Sequence, residues 1–350
     1  MTSERSGVWL TGFVGGIMLL VGCNGVPQEL LDQLPDIPDV VDDIIEPDLV
    51  EFETYATNTG GASGLALDGD DNVYIVNSSG VFGPVAAGAD ISDLDPIGAE
   101  NLIPDIFPEG TTQLVLAIAN SGDFWIGSGC CSTLARVPAA GGDAEEFGGL
   151  LAGGTTGVQA ETMALVPDGF DGPQINPGDL LVSRETISSS DRMSAIAVDG
   201  DLTVIDVDNP RVDPLNPEFD DLRHGHHLTF GLDGQLYASR GTPGLLLLGL
   251  QTIAPDGTPT ALPNTLGVAA ESFVALANGD LLLRGVRQTS GAVSEAGMFW
   301  YTAADAALRR ALSLSLTETT ESDEMVIASD GRIFLALPQR NEIVRVIDIR

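Results

Sequence analysis

Lysine is missing altogether: the 15 basic residues of this 350-residue chain are all arginine, set against 51 acidic ones, for a formal net charge of −36 and an isoelectric point near 4.1. So acidic a surface repels phosphate backbones and anionic headgroups, which excludes nucleic acid as a partner and excludes membrane attachment through a basic patch. It suits a solvated exterior in a saline medium, where ions screen the self-repulsion. Familiar catalytic signatures are absent too. There is no Gly-x-Ser-x-Gly elbow, phosphate loop, zincin helix or Cys-x-x-Cys pair. Three loops are acidic enough to hold calcium (89–100, 167–179 and 206–221), yet none has the Asp-x-Asp-x-Asp-Gly spacing of an EF-hand. Helical periodicity is also scarce from residue 51 onward.

Cysteine is almost as rare, with three in the chain, and the first closes an N-terminal leader. The apolar run from Val8 to Val21 is too short for a comfortable membrane span and reads as a signal peptide. It ends in Leu20-Val21-Gly22-Cys23, which resembles the bacterial lipobox. That resemblance implies removal of residues 1–22, lipidation of Cys23, and a place in the bacterial cell envelope, on the outer membrane and facing periplasm or exterior. Residues 23–50 carry Pro27, Pro35, Pro38 and Pro47 among recurring carboxylates; such segments stay extended and serve as tethers. The other two cysteines, Cys130 and Cys131, are neighbours. They either close a strained vicinal disulfide, which an exported chain favours, or remain thiols.

What fills residues 51–350 is one pattern in six copies. The copies are GLALDGDDNVYIVN (64–77), QLVLAIANSGDFWIGS (113–128), TMALVPDGFDGPQINPGDLLVSR (162–184), HLTFGLDGQLYASR (227–240), SFVALANGDLLLRG (272–285) and EMVIASDGRIFLAL (324–337). Each is a small-residue strand, an Asp/Asn/Gly turn and a strand with a bulky residue, which is a hairpin signal. The turns close at Asp71, Gly122, Gly178, Gly234, Gly279 and Gly331, at spacings of 51, 56, 56, 45 and 52 residues. Hairpins recurring at such a period predict an all-β fold, a six-bladed β-propeller of four-stranded blades. The last copy is followed by one further strand, EIVRVIDI (342–349), so EFETYA (51–56) is expected to complete its blade and close the ring.

The segment Gly64-Leu65-Ala66-Leu67-Asp68…Asn72-Val73-Tyr74-Ile75-Val76-Asn77 resembles the NHL repeat, and residues 51–350 as a whole resemble six-bladed propellers of the gluconolactonase and streptogramin-lyase kind. The fold follows from that resemblance; the activity does not, because such propellers host lactonases, lyases, dehydrogenases and binding modules alike.

All three histidines fall in Arg223-His224-Gly225-His226-His227. Counted back from the turns, His227 matches Gly64, Thr162, Ser272 and Glu324, while His226 matches Ser63, Glu161, Glu271 and Asp323. These positions are expected to precede the innermost strand of each blade, at one mouth of the central channel. Glu161, His226, Glu271 and Asp323 would then converge as a divalent-cation site, calcium above all; alternatively each bonds the exposed backbone of a neighbouring blade. His224 and His226 would share one side of an extended chain, and a channel histidine is the general acid of streptogramin-type lyases, which makes His226 the catalytic candidate. On the second strands Arg184, Arg240 and Arg284 are expected at matched places, to hold an anionic ligand or to neutralise the carboxylates. A vicinal disulfide at Cys130 and Cys131 would stiffen the same rim, as in some quinone-dependent propeller dehydrogenases.

The Gly-Pro that follows the first glutamate of the lactonases is missing after both Glu161 and Glu271. A monomeric, lipid-anchored binding module, with a protein or small molecule at the channel mouth, therefore ranks ahead of a metal-dependent lactonase or lyase or a quinone-dependent dehydrogenase.

Overall fold

Each of the six turn-closing residues adopts the left-handed conformation: φ is 63° at Asp71, 86° at Gly122, 85° at Gly178, 76° at Gly234, 80° at Gly279 and 88° at Gly331. The computed structural model describes residues 50–98, 102–109, 111, 113–128, 133–148, 158–172, 176–186, 193–196, 227–242, 246–288, 294–313 and 324–349. In five of the six turns the closing N–H bonds the carbonyl three residues back, as Gly234 does to Gly231 and Gly331 to Ala328. This is a type I turn completed by a left-handed residue, the geometry that lets a short loop join two twisted strands. In the copy with the insertion Gly178 bonds Val166 instead, so the long loop is pinched off at its base. Asp71 takes the conformation without being glycine, and its carboxylate receives the backbone N–H of Ser329 from the sixth turn at 2.8 Å.

The hairpins grow into six sheets among the described residues, antiparallel throughout except for one short parallel pair in the sixth. The first is β2 (Gly64–Leu67), β3 (Val73–Asn77) and β4 (Gly80–Val85). The second is β6 (Leu114–Ile118), β7 (Phe124–Ser128), β8 (Thr133–Val137) and β9 (Glu145–Gly148). The third is β10 (Val158–Leu165), β11 (Leu180–Thr186) and β12 (Met193–Ile196); the fourth is β13 (Leu228–Phe230), β14 (Leu236–Thr242), β15 (Leu246–Ile253) and β16 (Pro259–Ala261). The fifth is β17 (Val268–Ala275), β18 (Leu281–Gln288), β19 (Ser294–Thr302) and β20 (Ala307–Ser313). The sixth takes β21 (Met325–Ile327), β22 (Ile333–Leu337) and β23 (Glu342–Ile349) from one end of the chain and β1 (Val50–Thr57) from the other, with β5 (Ala89–Asp90) against β1. β1 runs antiparallel to β23, with Val50 opposite Ile349 and Thr57 opposite Glu342, which is the predicted closure. Four strands per sheet is not uniform. In the first sheet the fourth place holds a single bridge, Val81 to Ile97.

The first strands of the six sheets neighbour one another in the cyclic order β2, β6, β10, β13, β17, β21 and back to β2. Among the described residues six apolar clusters lie one between each pair of successive sheets. Tyr55, Leu65, Ile75 and Phe334 join the sixth sheet to the first, and Val274, Leu282, Met325 and Leu335 join the fifth to the sixth. Each sheet is thus covered on both faces, so inner strands read as unbroken apolar runs without the alternation of a half-exposed strand. All five residues of β6 and all five of β7 are buried. Helical structure among the described residues is limited to short turns at Leu102–Asp105, Ile91–Asp93 and Pro338–Arg340. The arrangement is a β-propeller.

Candidate functional site

The hairpin registers fix which residues are equivalent around the ring. Gly64 faces Val76, Val115 faces Gly127, Thr162 faces Ser183 and Ser272 faces Arg284. In the fourth and sixth sheets the same step appears as Ser239 N–H to the His227 carbonyl at 2.9 Å and Ala336 N–H to the Glu324 carbonyl at 3.0 Å. Gly64, Val115, Thr162, His227, Ser272 and Glu324 therefore form one belt.

That belt is invested in joining sheets. The outer edge of each first strand carries N–H groups that no partner in its own sheet can take, and buried donors need acceptors. Thr162 Oγ1 accepts from Leu228 N–H in the next sheet at 3.1 Å. Ser63 both donates to the Leu114 carbonyl and accepts from its N–H, each at 2.8 Å, and Ser239 accepts from Ala270 N–H at 3.0 Å. His227 is buried with its ring edge-on to Phe273 of the next sheet, centroids 5.0 Å apart. Glu324 reaches furthest. Its Oε2 accepts from Leu65 N–H of the first sheet at 2.8 Å. The residue as a whole keeps partial exposure, but the carboxyl is enclosed. Burial pushes it up to about 8, against the pull of the Leu65 N–H in the other direction. Glu324 was visible in the sequence as a match to His227 but carried no sign of its distant donor, Leu65.

The residues set one place before the belt do not all precede an inner strand. In the third and fifth sheets that strand begins earlier, so Glu161 and Glu271 lie inside β10 and β17. Each marks a register slip, between Ala160 and Thr162 and between Ala270 and Ser272, where two residues oppose one as in a β-bulge. Glu271 is partly buried there. The side chain of Glu161 and all of His224, His226 and Asp323 lie outside the described residues, as do Cys23, Cys130 and Cys131.

The three arginines are not equivalent, contrary to expectation. Arg184 pairs with Ala160, whereas Arg284 pairs with Ser272, the place held by Ser183 and Ser239 in the neighbouring sheets. Arg284 stands five residues after its turn glycine and Arg184 and Arg240 six. Arg284 is buried, at 1% exposure, in the same ladder as the Glu271 bulge. Among the acidic loops, Asp90 is occupied by Ser92 and Asn58, and Asp179 accepts from Asn176 N–H at 2.8 Å; residues 206–221 lie outside the described residues.

No protein-family model matches the chain, and no curated protein matches it. Solved structures do. The calcium form of a Trichoderma reesei protein of Carbohydrate-Active Enzymes family AA12 is 11% identical, over 86% of this chain and 96% of that one, with a TM-score of 0.53. The gluconolactonase of Xanthomonas campestris is 13% identical over 85% of this chain and 88% of that one, with a TM-score of 0.50. Virginiamycin B lyase from Staphylococcus aureus is 12% identical over 85% and 98%, with a TM-score of 0.49. At such identities the likeness speaks for the fold. The likeness to the first two agrees with the β-propeller that the sheets form.

Proposed function

We propose that the chain is a lipid-anchored, extracytoplasmic propeller of six blades that acts as a binding module, with residues 1–22 as leader, 23–50 as tether and 51–350 as the ring. The carrying observation is that Ser63, Thr162 and Glu324, at or beside the belt positions, hold the backbones of neighbouring sheets. Side chains committed in this way join blades and are not free to serve a reaction. Intact mass of the mature protein tests the anchor: the expected N-terminus is a diacylated Cys23, and an unmodified or missing Cys23 refutes it.

A second reading has one observation in its favour. Glu161 and Glu271 occupy equivalent register slips two sheets apart, and bulges recur where a side chain is re-aimed toward a site. With His226 and Asp323 they would hold a divalent cation, whose chemistry would be to polarise a carbonyl oxygen. Elemental analysis of purified protein, with melting measured before and after EDTA, separates the readings. The binding module predicts no stoichiometric metal and an unchanged Tm; a metal at one per chain with a Tm that falls on chelation selects the lactonase-type or lyase-type enzyme.

A further inference from the structure

Three seams of the belt can be compared bond by bond. One place after the belt, Leu65 stands opposite Ile75, Leu228 opposite Ala238 and Met325 opposite Leu335. The pairs that exchange bonds are the ones before them, as when Ser239 N–H goes to the His227 carbonyl and Ala336 N–H to the Glu324 carbonyl. Bonded and non-bonded pairs alternate along an antiparallel ladder, so the N–H groups of Leu65, Leu228 and Met325 turn away from their own sheets. Leu228 N–H is taken by the belt threonine of the preceding sheet, Thr162, at 3.1 Å, and Leu65 N–H by the belt glutamate, Glu324, at 2.8 Å. Ser272 is the belt residue that faces Met325 in the same way, yet no such bond forms. Among the described residues neither the Met325 N–H nor the Ser272 hydroxyl has a hydrogen-bond partner, with Met325 3% exposed and Ser272 0%. Both belong to one interface. Val274 and Leu282 stand opposite each other two steps along from Ser272 and Arg284, and both join Met325 in the cluster between the fifth and sixth sheets. Alternation puts Ser272 and Arg284, themselves opposite each other, on that same face. Where the third sheet has Thr162 opposite Ser183, the fifth thus sets a smaller hydroxyl opposite a guanidinium that is 1% exposed.

We propose that the seam between the fifth and sixth sheets binds a small monovalent anion, chloride above all, through Met325 N–H, the Ser272 hydroxyl and the Arg284 guanidinium. All three groups donate. A guanidinium has five N–H donors and a carboxylate takes them two at a time, so one acidic partner does not exhaust it. Buried donors need an acceptor, and beside a positive charge in a low-dielectric interior an anion serves better than a neutral water. The ion does for Met325 N–H what Thr162 does for Leu228 N–H. The proposal is independent of both the lipid anchor and the cation site.

The test melts the whole chain in sodium gluconate while chloride or bromide replaces gluconate stepwise at fixed ionic strength, so that screening stays constant. Tm is expected to rise saturably, by roughly 2–6 °C as either halide approaches about 0.2 M, as binding to the native state alone requires. Ser272→Ala removes a hydroxyl that bonds no other described residue, so it should fold and need about 5- to 20-fold more chloride for half the rise. Arg284→Met should abolish the rise. The same Tm in gluconate, chloride and bromide overturns the proposal and makes water the bridging group. A rise with an unchanged midpoint in Ser272→Ala overturns it too, because the anion then binds elsewhere. Should the Arg284 variant not fold, the chloride NMR resonance supplies the second measurement: wild type is expected to broaden it and Ser272→Ala to broaden it less, and no broadening by wild type refutes the site.

Discussion

Glu324 holds its proton at a pH where an exposed glutamate has lost it. Its carboxyl is raised from 4.5 to about 8, with burial as the leading cause. Between those values the native state binds a proton that the unfolded chain does not, so stability contributed by this group is fully present below 4.5 and falls as pH rises toward 8. Glu324→Gln keeps an oxygen acceptor and cannot ionise. The Tm of this variant relative to wild type is expected to climb across that window and level off above it; a difference that stays constant with pH refutes the assignment. The turn residues make a separate case. At Gly234 φ is 76° and nothing stands within 4 Å of an added Cβ, so substitution there reads backbone strain alone. Gly234→Ala should cost about 1–2 kcal/mol by urea denaturation, and Gly234→Asn distinctly less, since asparagine tolerates the left-handed region.

At the scale of elements, β1 carries the junction. Tyr55 is buried in the cluster shared by the sixth and first sheets, donates from its hydroxyl to the Val85 carbonyl at 3.0 Å, and meets Phe334 edge-on at 4.8 Å. Tyr55→Phe keeps the ring contact and loses the bond, for about 0.5–1.5 kcal/mol. Tyr55→Ala removes both and should cost about 3–5 kcal/mol in the same denaturation assay. Equal costs would mean that the hydroxyl, and not the ring, secures the strand. The hairpins and their closure were legible in the sequence because Asp-Gly and Asn-Gly turns announce themselves locally, and Gly234 and Gly331 stand where the pattern puts them. The candidate site was less legible. A bulge adds a residue to one strand without any mark in composition, so Glu161 and Glu271 could be aligned but not recognised as lying inside β10 and β17. Arg284 differs from Arg184 by one place counted from the turn, a difference that the sequence does carry. Glu324 could not be singled out because its donor, Leu65, comes from a strand far away in the chain.

At the scale of the whole molecule, a net charge of −36 acts on a structure held together by six thin interfaces instead of one thick core. Self-repulsion loosens every interface a little, and salt screens it. Tm is expected to rise steadily from roughly 0.05 to 1 M sodium chloride, with potassium chloride giving the same curve. A flat or falling profile would mean that the ion pairs, such as Arg310 with Glu295 at 2.7 Å, outweigh the repulsion. The ladder of β1 with β23 also sets an order in time. β1 is made well before its partner β23, which lies opposite it from Val50–Ile349 to Thr57–Glu342. Pairings between such distant segments are slow to form, and an unpaired strand edge with apolar residues such as Val50 and Tyr55 invites wrong partners while it waits. The chain is therefore expected to pass through a stage in which five sheets can already be assembled while the sixth is half made.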